Sequence, residues 1–325
     1  MNRQQARVVF LDAATYGDIS LKRFTDTWDC TIHQVTSPSE TVPRLAGHAV
    51  AVTNKVVINK AILNSAEARD LKLIVVAATG TDIIDREEAT NHGVKVCNVP
   101  GYATQSVAQF TMALILELAT RAAKYGNAVR SGEWEASPIF SLLTYPTVEL
   151  NGKKLGIVGY GSIGQAVARM ARGFGTEILV AARPGATAAV PKDRISLEQL
   201  LRQSDIISLH CPLTAATRNL INGQTLSLMK PTAFLINTAR GALIDEAALI
   251  EALRNKQIAA AALDVITGEP PPGDHPMIRA AKELHNLIVT PHTAWSAREA
   301  RERLLQEAEE NIAAFLQGKP RNLVA

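Results

Sequence analysis

The chain has 325 residues, of which 47% are hydrophobic and 20% charged, and its net charge is +3. This length and composition predict a folded protein of about two domains and argue against bulk disorder. Basic residues are spread along the chain without a dense stripe, and no apolar run reaches membrane-spanning length. We therefore expect neither a nucleic-acid partner nor a membrane partner.

Cysteine usage bears on the compartment and on metal binding. Cys30, Cys97 and Cys211 lie far apart with no C-x-x-C spacing, so the sequence suggests neither a zinc site nor a disulfide framework. The start of the chain has no apolar signal core and runs directly into a strand-like segment at residues 8–11. We expect a cytoplasmic protein with reduced thiols and no bound metal.

In chain order, short β-branched segments alternate with amphipathic ones, which predicts an α/β fold of parallel sheets with crossover helices. The first series of strands is predicted at residues 8–11, 49–52, 71–76 and 94–97. A long, largely apolar helix at residues 106–120 and a turn-rich stretch at residues 131–151 follow. The second series of strands is predicted at residues 155–158, 178–181, 206–209, 233–237, 260–264 and 287–290. A charged amphipathic helix at residues 297–316 has no strand beside it, and we expect it to pack on the first domain.

Gly159, Gly161 and Gly164 form the pattern G-x-G-x-x-G between the strand at residues 155–158 and a helix at residues 165–174. This strand–loop–helix context is the one in which the pattern binds a dinucleotide. The first glycine permits a tight turn, the second lets backbone N–H groups approach the pyrophosphate, and the third lets the helix pack closely on the strand. The helix N-terminus adds favourable partial positive charge. The loop therefore predicts a dinucleotide cofactor.

The next strand ends without the acidic residue that usually accepts the ribose hydroxyls of NAD. Ala182 and Arg183 follow it instead. An arginine in place of a carboxylate favours a 2′-phosphate, so we expect NADP as the preferred cofactor and NAD as a second one. The alternative is a solvated loop arginine beside an NAD site.

Polar residues follow the later strands, at the edge where open α/β sheets bind ligands. They are Cys211-Pro212, Thr238-Ala239-Arg240, Asp264 and His292. Glu269 follows Asp264 through a short loop and precedes three consecutive prolines. An arginine, an acid and a histidine at consecutive strand ends predict a catalytic constellation.

These motifs make the chain similar to the D-isomer-specific 2-hydroxyacid dehydrogenases over nearly its full length. Within that family it most resembles the glycerate dehydrogenase (hydroxypyruvate/glyoxylate reductase) group. The resemblance is carried by the glycine loop and by residues 75–82 (VVAATGTD), 98–102 (NVPGY), 237–241 (NTARG), 263–270 (LDVITGEP) and 291–295 (PHTAW). It implies two doubly wound parallel-sheet domains. A Rossmann nucleotide domain at residues 100–295 is inserted into a flavodoxin-like substrate domain at residues 1–99 and 296–325.

The resemblance also implies roles for individual residues. Arg240 is implied to bind the substrate, His292 to act as acid and base, and Glu269 to be the partner of His292. The substrate carboxylate is implied to lie near Lys55 and the backbone amides of Ala78, Thr79 and Gly80. The residues expected to bind the cofactor are Thr104, Gly159, Gly161, Ser162, Ile163, Gly164, Arg183, Cys211, Pro212, Thr238, Ala239 and Asp264. Of these, Asp264 is implied to contact the nicotinamide end.

Together these features predict NAD(P)H-dependent reduction of hydroxypyruvate or glyoxylate to D-glycerate or glycolate, and the reverse reaction. Negative charge develops on the carbonyl oxygen as hydride arrives, so Arg240 is expected to stabilise that charge and His292 to donate the proton. Two alternatives stay open: a D-lactate or bulkier 2-keto acid dehydrogenase of the same family, and a dinucleotide-sensing binding protein without turnover. The resemblance implies a homodimer.

Overall fold

The computed structural model describes residues 6–183, 191 and 193–325. The chain divides into two units, and each is built on one parallel sheet. The first unit contains the chain up to Ala103 together with Ser296–Ala325, and the second contains Thr104–Trp295. The predicted α/β class with two parallel sheets is confirmed.

The sheet of the first unit has five strands in the order β2-β1-β3-β4-β5, and every neighbouring pair is parallel. The strands are β1 (Arg7–Phe10), β2 (Asp29–Ile32), β3 (Val50–Thr53), β4 (Leu73–Val76) and β5 (Lys95–Cys97). The helices between them are α1 (Lys22–Thr25), α2 (Pro38–Leu45), α3 (Lys60–Leu63) and α4 (Arg86–Asn91). The chain crosses to the other side of the sheet between β1 and β3, which makes that pair the topological switch point of this unit.

Four of these five strands agree with the sequence prediction to within two residues, and β2 is the one that it missed. β2 lies at the edge of the sheet, and none of its four residues is fully buried. A short edge strand needs no continuous apolar run, so the sequence Asp-Cys-Thr-Ile carried no strand signal.

The last helix of the chain, α12 (Arg298–Leu316), packs against β4 of the first unit. Its buried Asn311 donates a hydrogen bond from Nδ2 to the backbone oxygen of Asn98 over 2.9 Å. The chain then runs beside β5, where the N–H of Val324 donates to the oxygen of Val96 over 2.8 Å. The C-terminal segment thereby covers the edge of this sheet.

The sheet of the second unit has six parallel strands in the order β11-β10-β9-β8-β6-β7. The strands are β6 (Lys154–Val158), β7 (Glu177–Val180), β8 (Ile206–Leu209), β9 (Phe234–Asn237), β10 (Ala260–Leu263) and β11 (Leu287–Val289). The helices are α5 (Thr104–Thr120), α6 (Ala122–Arg130), α7 (Ser162–Arg172), α8 (Leu197–Gln203), α9 (Gly223–Leu226), α10 (Glu246–Arg254) and α11 (Pro276–Glu283). Helices α5 and α7 bury one face of the sheet, while α8, α10 and α11 bury the other. All six predicted strands are present, with ends that differ by one residue at most.

A segment of the second unit between α6 and β6 leaves large apolar side chains in solvent. Trp134, Ile139, Phe140 and Leu143 are 50%, 54%, 94% and 78% exposed. We call residues 131–148 the apolar segment. In the part of the chain that the structure describes, no helix is long and apolar enough to cross a membrane.

Candidate active site

The glycine loop connects β6 to α7, and its three glycines are required for different reasons. Gly159 has φ +96°, and a Cβ atom there would lie 2.4 Å from the backbone nitrogen of Cys211. A Cβ at Gly164 would lie 2.2 Å from the oxygen of Gly159, so helix and strand could not pack. A Cβ at Gly161 would meet no atom within 4 Å. Packing therefore explains Gly159 and Gly164, whereas Gly161 faces open space that fits the approach of a pyrophosphate.

Gly161 is also the N-cap of α7, so Ser162 and Ile163 stand in the first turn of the helix. The first backbone N–H groups of a helix have no partner inside it, and they make its N-terminus an anion site. The observed loop thus has the features that a dinucleotide phosphate requires.

At the end of β7, Ala182 donates its N–H to the oxygen of Ile195 over 2.7 Å, and the exposed Arg183 follows. No carboxylate stands at Ala182. Arg194 is a further cation here that sequence reasoning missed, since its guanidinium carbon lies 4.7 Å from the centre of the Tyr160 ring in the glycine loop. The two residues are too far apart in sequence for any local pattern to indicate this contact.

The turn after β8 carries Cys211 and Pro212, which contact the glycine loop and a threonine turn. Pro212 accepts a hydrogen bond from Oγ1 of Thr217 over 2.7 Å. Burial raises the pKa of the Cys211 thiol to about 11, so it stays protonated and uncharged near neutral pH. This neutral turn adds no negative charge beside the proposed dinucleotide phosphates.

The turn after β9 carries Thr238, Ala239 and Arg240, and Asn237 holds it in place. Oδ1 of Asn237 accepts the N–H of Ala239 over 3.0 Å, and Nδ2 donates to the oxygen of Arg240 over 2.8 Å. Gly241 follows because a Cβ there would lie 2.1 Å from the backbone carbon of Ile266. Asn237 was not predicted as a functional residue. An asparagine at the last position of a buried strand, directly before a turn, was the signal that could have revealed it.

Asp264, after β10, is fully buried and holds the segment that contains His292. Its Oδ1 accepts hydrogen bonds from Thr290 Oγ1 over 2.6 Å and from the N–H of Thr293 over 3.0 Å. Its Oδ2 accepts the N–H of Ala294 over 2.8 Å, and its backbone oxygen accepts the N–H of His292 over 2.8 Å. The structure thus gives this carboxylate a supporting role that the sequence did not predict.

His292 and Glu269 form a direct pair at the carboxyl edge of the sheet. Nδ1 of His292 lies 2.5 Å from Oε2 of Glu269, and both side chains keep about a quarter of their surface exposed. Oε1 of Glu269 accepts the N–H of Ile266 over 2.8 Å, which fixes the carboxylate. With Nδ1 facing a carboxylate, Nε2 is the ring nitrogen available to a substrate. Arg240 follows β9 and His292 follows β11, with only β10 between these strands.

The predicted substrate residues of the first unit lie at the ends of β3 and β4. Asn98 Nδ2 donates to the oxygen of Thr79 over 2.7 Å, and Thr79 Oγ1 donates to the oxygen of Val99 over 3.1 Å. The backbone N–H groups of Thr79 and Gly80 make no hydrogen bond with any residue that the structure describes. Lys55 is exposed after β3, and Asp12 binds its backbone N–H over 2.6 Å. Among the residues described, no group of three or more His, Cys, Asp or Glu side chains is arranged for a metal ion.

Comparison with known proteins finds relatives that match most of the chain. Residues 112–294 match the family described as "D-isomer specific 2-hydroxyacid dehydrogenase, NAD binding domain". The chain is 40% identical over 320 residues to the glycerate dehydrogenase of Methylorubrum extorquens, which covers 98% of both proteins. It is 44% identical over 267 residues to the glyoxylate reductase of Aeropyrum pernix, which covers 79% of this chain and 77% of that protein.

A solved structure of an acyclic imino acid reductase in complex with NADPH and D-Arg has the same fold. Its TM-score with this chain is 0.84 at 29% identity, over 98% of this chain and 100% of that one. The chain therefore belongs to the family of D-isomer specific 2-hydroxyacid dehydrogenases.

Proposed function

We propose that the chain reduces hydroxypyruvate and glyoxylate to D-glycerate and glycolate. As a member of its family it is an oxidoreductase that binds a nicotinamide dinucleotide. The observation that carries the proposal is the His292–Glu269 pair, which lies at the same sheet edge as Arg240 and the glycine loop. The names of the similar glycerate dehydrogenase and glyoxylate reductase support these two acids among the 2-oxo acids.

The proposed roles follow from the charge changes in the reaction. When the reduced nicotinamide is bound, it supplies the hydride that adds to the carbonyl carbon, and negative charge develops on the carbonyl oxygen. Arg240 stabilises that charge with its planar guanidinium cation. Nε2 of His292 donates a proton to the same oxygen, which becomes the hydroxyl group. Glu269 accepts the hydrogen bond from Nδ1 of His292 and holds the ring in place. In the oxidation direction His292 accepts that proton.

We assign the carboxylate of the acid to the first unit. The backbone N–H groups of Thr79 and Gly80 make no hydrogen bond with any described residue, so they are suitable donors for a carboxylate. Ala78 holds the start of this segment, because its backbone oxygen accepts the N–H of Val99 over 3.0 Å. Lys55 adds a positive charge at the end of the neighbouring strand β3.

We propose that the dinucleotide is NADP, with NAD as a weaker alternative. No carboxylate is present at Ala182 to repel a 2′-phosphate, and the exposed Arg183 offers that phosphate a cation. The remaining residues that we assign to the cofactor are Thr104, Gly159, Gly161, Ser162, Ile163, Gly164, Cys211, Pro212, Thr238, Ala239 and Asp264. Similarity to a reductase solved with NADPH supports this choice.

We also propose a homodimer that works in the cytoplasm. The apolar segment supports the dimer, because four of its large apolar side chains are at least half exposed, and exposed apolar surface is typical of interaction sites. The three cysteines are unpaired, which fits a reducing compartment.

Steady-state rates test the proposal directly. The purified protein is assayed with glyoxylate, hydroxypyruvate, pyruvate and a branched 2-oxo acid, each with NADPH and with NADH. We expect the highest kcat/KM for glyoxylate or hydroxypyruvate with NADPH. A higher kcat/KM for pyruvate or the branched acid would instead indicate a D-lactate or bulkier 2-keto acid dehydrogenase. Dinucleotide binding without turnover of any acid would indicate a sensing protein.

A further inference from the structure

Asp12 is a buried carboxylate that neither the proposed mechanism nor the cofactor site uses. It follows β1 and is 6% exposed. The hydrogen bonds of its carboxylate all join it to the end of β3 and the turn that follows. Oδ1 accepts the N–H of Asn54 over 2.9 Å, Oδ2 accepts the N–H of Lys55 over 2.6 Å, and Thr53 Oγ1 approaches Oδ2 at 3.3 Å. No cation among the described residues forms an ion pair with it.

The position of Asp12 is the one at which a sheet of this order binds ligands. β1 and β3 are neighbours in the order β2-β1-β3-β4-β5, and the winding direction reverses between them. Ligands of such sheets lie outside the carboxyl ends of the strands at this switch point. Asp12 follows one of the two strands, and Asn54 and Lys55 follow the other.

Asn54 gives a second indication of a ligand at this point. Its side chain is 3% exposed, and its Nδ2 is one of four buried side-chain nitrogen or oxygen atoms without a hydrogen-bond partner among the described residues. A buried donor without an acceptor costs free energy. A carboxylate or carbonyl oxygen of a bound acid is the kind of group that would satisfy it.

Burying the carboxylate of Asp12 costs free energy, so we expect its charge to have a function. Burial raises the pKa of this carboxyl above its usual value, while the N–H groups of Asn54 and Lys55 act in the opposite direction. A neutral asparagine would fill the same space without the cost of burying a charge. Asparagine cannot, however, offer acceptors on both sides, because its NH₂ group would face a backbone N–H.

We propose that Asp12 is a positioning residue, whose carboxylate fixes the backbone of Asn54 and Lys55 so that their side-chain donors bind the 2-oxo acid. This role rests on the proposed function, because it requires a 2-oxo acid as the ligand. Asp12 itself need not touch the substrate. Its effect should therefore fall on the affinity for the acid and leave the chemical step and the dinucleotide site unchanged.

The test is Asp12→Asn, assayed with glyoxylate and hydroxypyruvate at saturating NADPH. We expect KM for both acids to rise about tenfold, equivalent to about 1.4 kcal/mol. We expect kcat within about threefold of the parent, an unchanged Kd for NADPH and a Tm that does not fall by more than a few degrees. Asp26→Asn is the matched control, because Asp26 is an exposed acid of the same unit that pairs with Lys22. It should leave every constant at the parent value.

A double-mutant cycle with Lys55→Met shows whether Asp12 acts through the turn. If it does, Asp12→Asn adds little to KM once Lys55 is already replaced. Three outcomes would each overturn the positioning role. They are a KM of Asp12→Asn equal to that of the parent, additive effects of the two substitutions on KM, and a lower Tm together with weaker binding of NADPH. A parent protein without turnover of either acid would overturn the proposed function itself, and this role with it.

Discussion

His292 has a backbone conformation that few residues adopt, and its surroundings maintain it. Its φ is +52°, in the left-handed region that is unfavourable for a side chain with a Cβ. Its N–H donates to the oxygens of both Asp264 and Thr290, over 2.8 and 3.0 Å. The Asp264 carboxylate binds the next two N–H groups of the chain, at Thr293 and Ala294. Strained backbone conformations of this kind are common at functional sites, where they fix the direction of a side chain.

His292→Ala tests the proposed proton donor. We expect kcat for glyoxylate reduction at neutral pH to fall by about 10²-fold or more, the usual scale for a positioned acid. Binding of NADPH, measured by fluorescence titration, should stay close to the parent value. His285→Ala is the control, because His285 is an exposed histidine of the same unit and should keep parent kcat. Turnover of His292→Ala within a few-fold of the parent would show that another group donates the proton.

Glu269→Gln separates the charge of the partner from its shape. Glutamine keeps the side-chain length but replaces the charged acceptor of the Nδ1 hydrogen bond by a neutral amide, and hydrogen bonds to charged groups are about twice as strong as neutral ones. The ring of His292 should therefore be held less firmly, and we expect kcat for glyoxylate reduction at neutral pH to fall about tenfold with an unchanged Kd for NADPH. Glu198→Gln, at an exposed acid paired with Arg202, should leave kcat unchanged. A parent value of kcat in Glu269→Gln would mean that Glu269 does not position His292.

At the scale of elements, strand ends were the most informative part of the sequence. Buried parallel strands are continuous apolar runs, so their limits were predictable, and with them the polar residues that follow. The residues that support the site were harder to predict from the sequence. Asp12 acts on the turn after β3, a contact that depends on which strands adjoin, whereas Asn237 acts on the turn that directly follows it in the sequence. β2 was missed because an edge strand is only partly buried, and Arg194 because its aromatic partner is distant in sequence.

The end of β7 supports a prediction about cofactor choice. An exposed arginine that binds a 2′-phosphate gains a hydrogen bond between charged groups, worth roughly 1.5–3 kcal/mol. We expect the Kd for NADPH to be about tenfold to a hundredfold lower than that for NADH. Added salt should weaken NADPH binding more than NADH binding, because only the phosphate contact is strongly ionic. Ala182→Asp combined with Arg183→Ala should reverse the order of the two dinucleotides.

Titration of both dinucleotides against each variant provides the measurement. Arg172→Ala removes another exposed arginine of the same unit and should leave the ratio of the two Kd values unchanged. Equal affinity of the parent for NADH and NADPH would show that Arg183 stays in solvent.

At the scale of the whole molecule, the apolar segment is held by hydrogen bonds within itself and to α6, although it has no helix or strand. Trp134 Nε1 donates to the oxygen of Phe140 over 3.1 Å. Tyr125 Oη donates to the oxygen of Tyr145 over 2.7 Å, and their rings lie 5.2 Å apart. A segment held in one shape with its large apolar side chains outward is suited to meet another protein surface. A second copy of the chain is the simplest partner, because most soluble oligomers are symmetric homodimers.

Phe140→Ser combined with Leu143→Ser tests this interface. The two residues are the most exposed large apolar side chains of the molecule's described part, so their replacement should cost the fold little. It should remove apolar area from the contact in both copies at once, because a twofold interface uses the same surface twice. We expect light scattering to give twice 34.9 kDa for the parent and the single-chain mass for the variant at micromolar concentration. Val35→Ser, at an exposed apolar residue of the first unit, should leave the mass at the parent value. A parent that scatters as a single chain, or a double variant that keeps the dimer mass, would show that the apolar segment is not the contact between two copies.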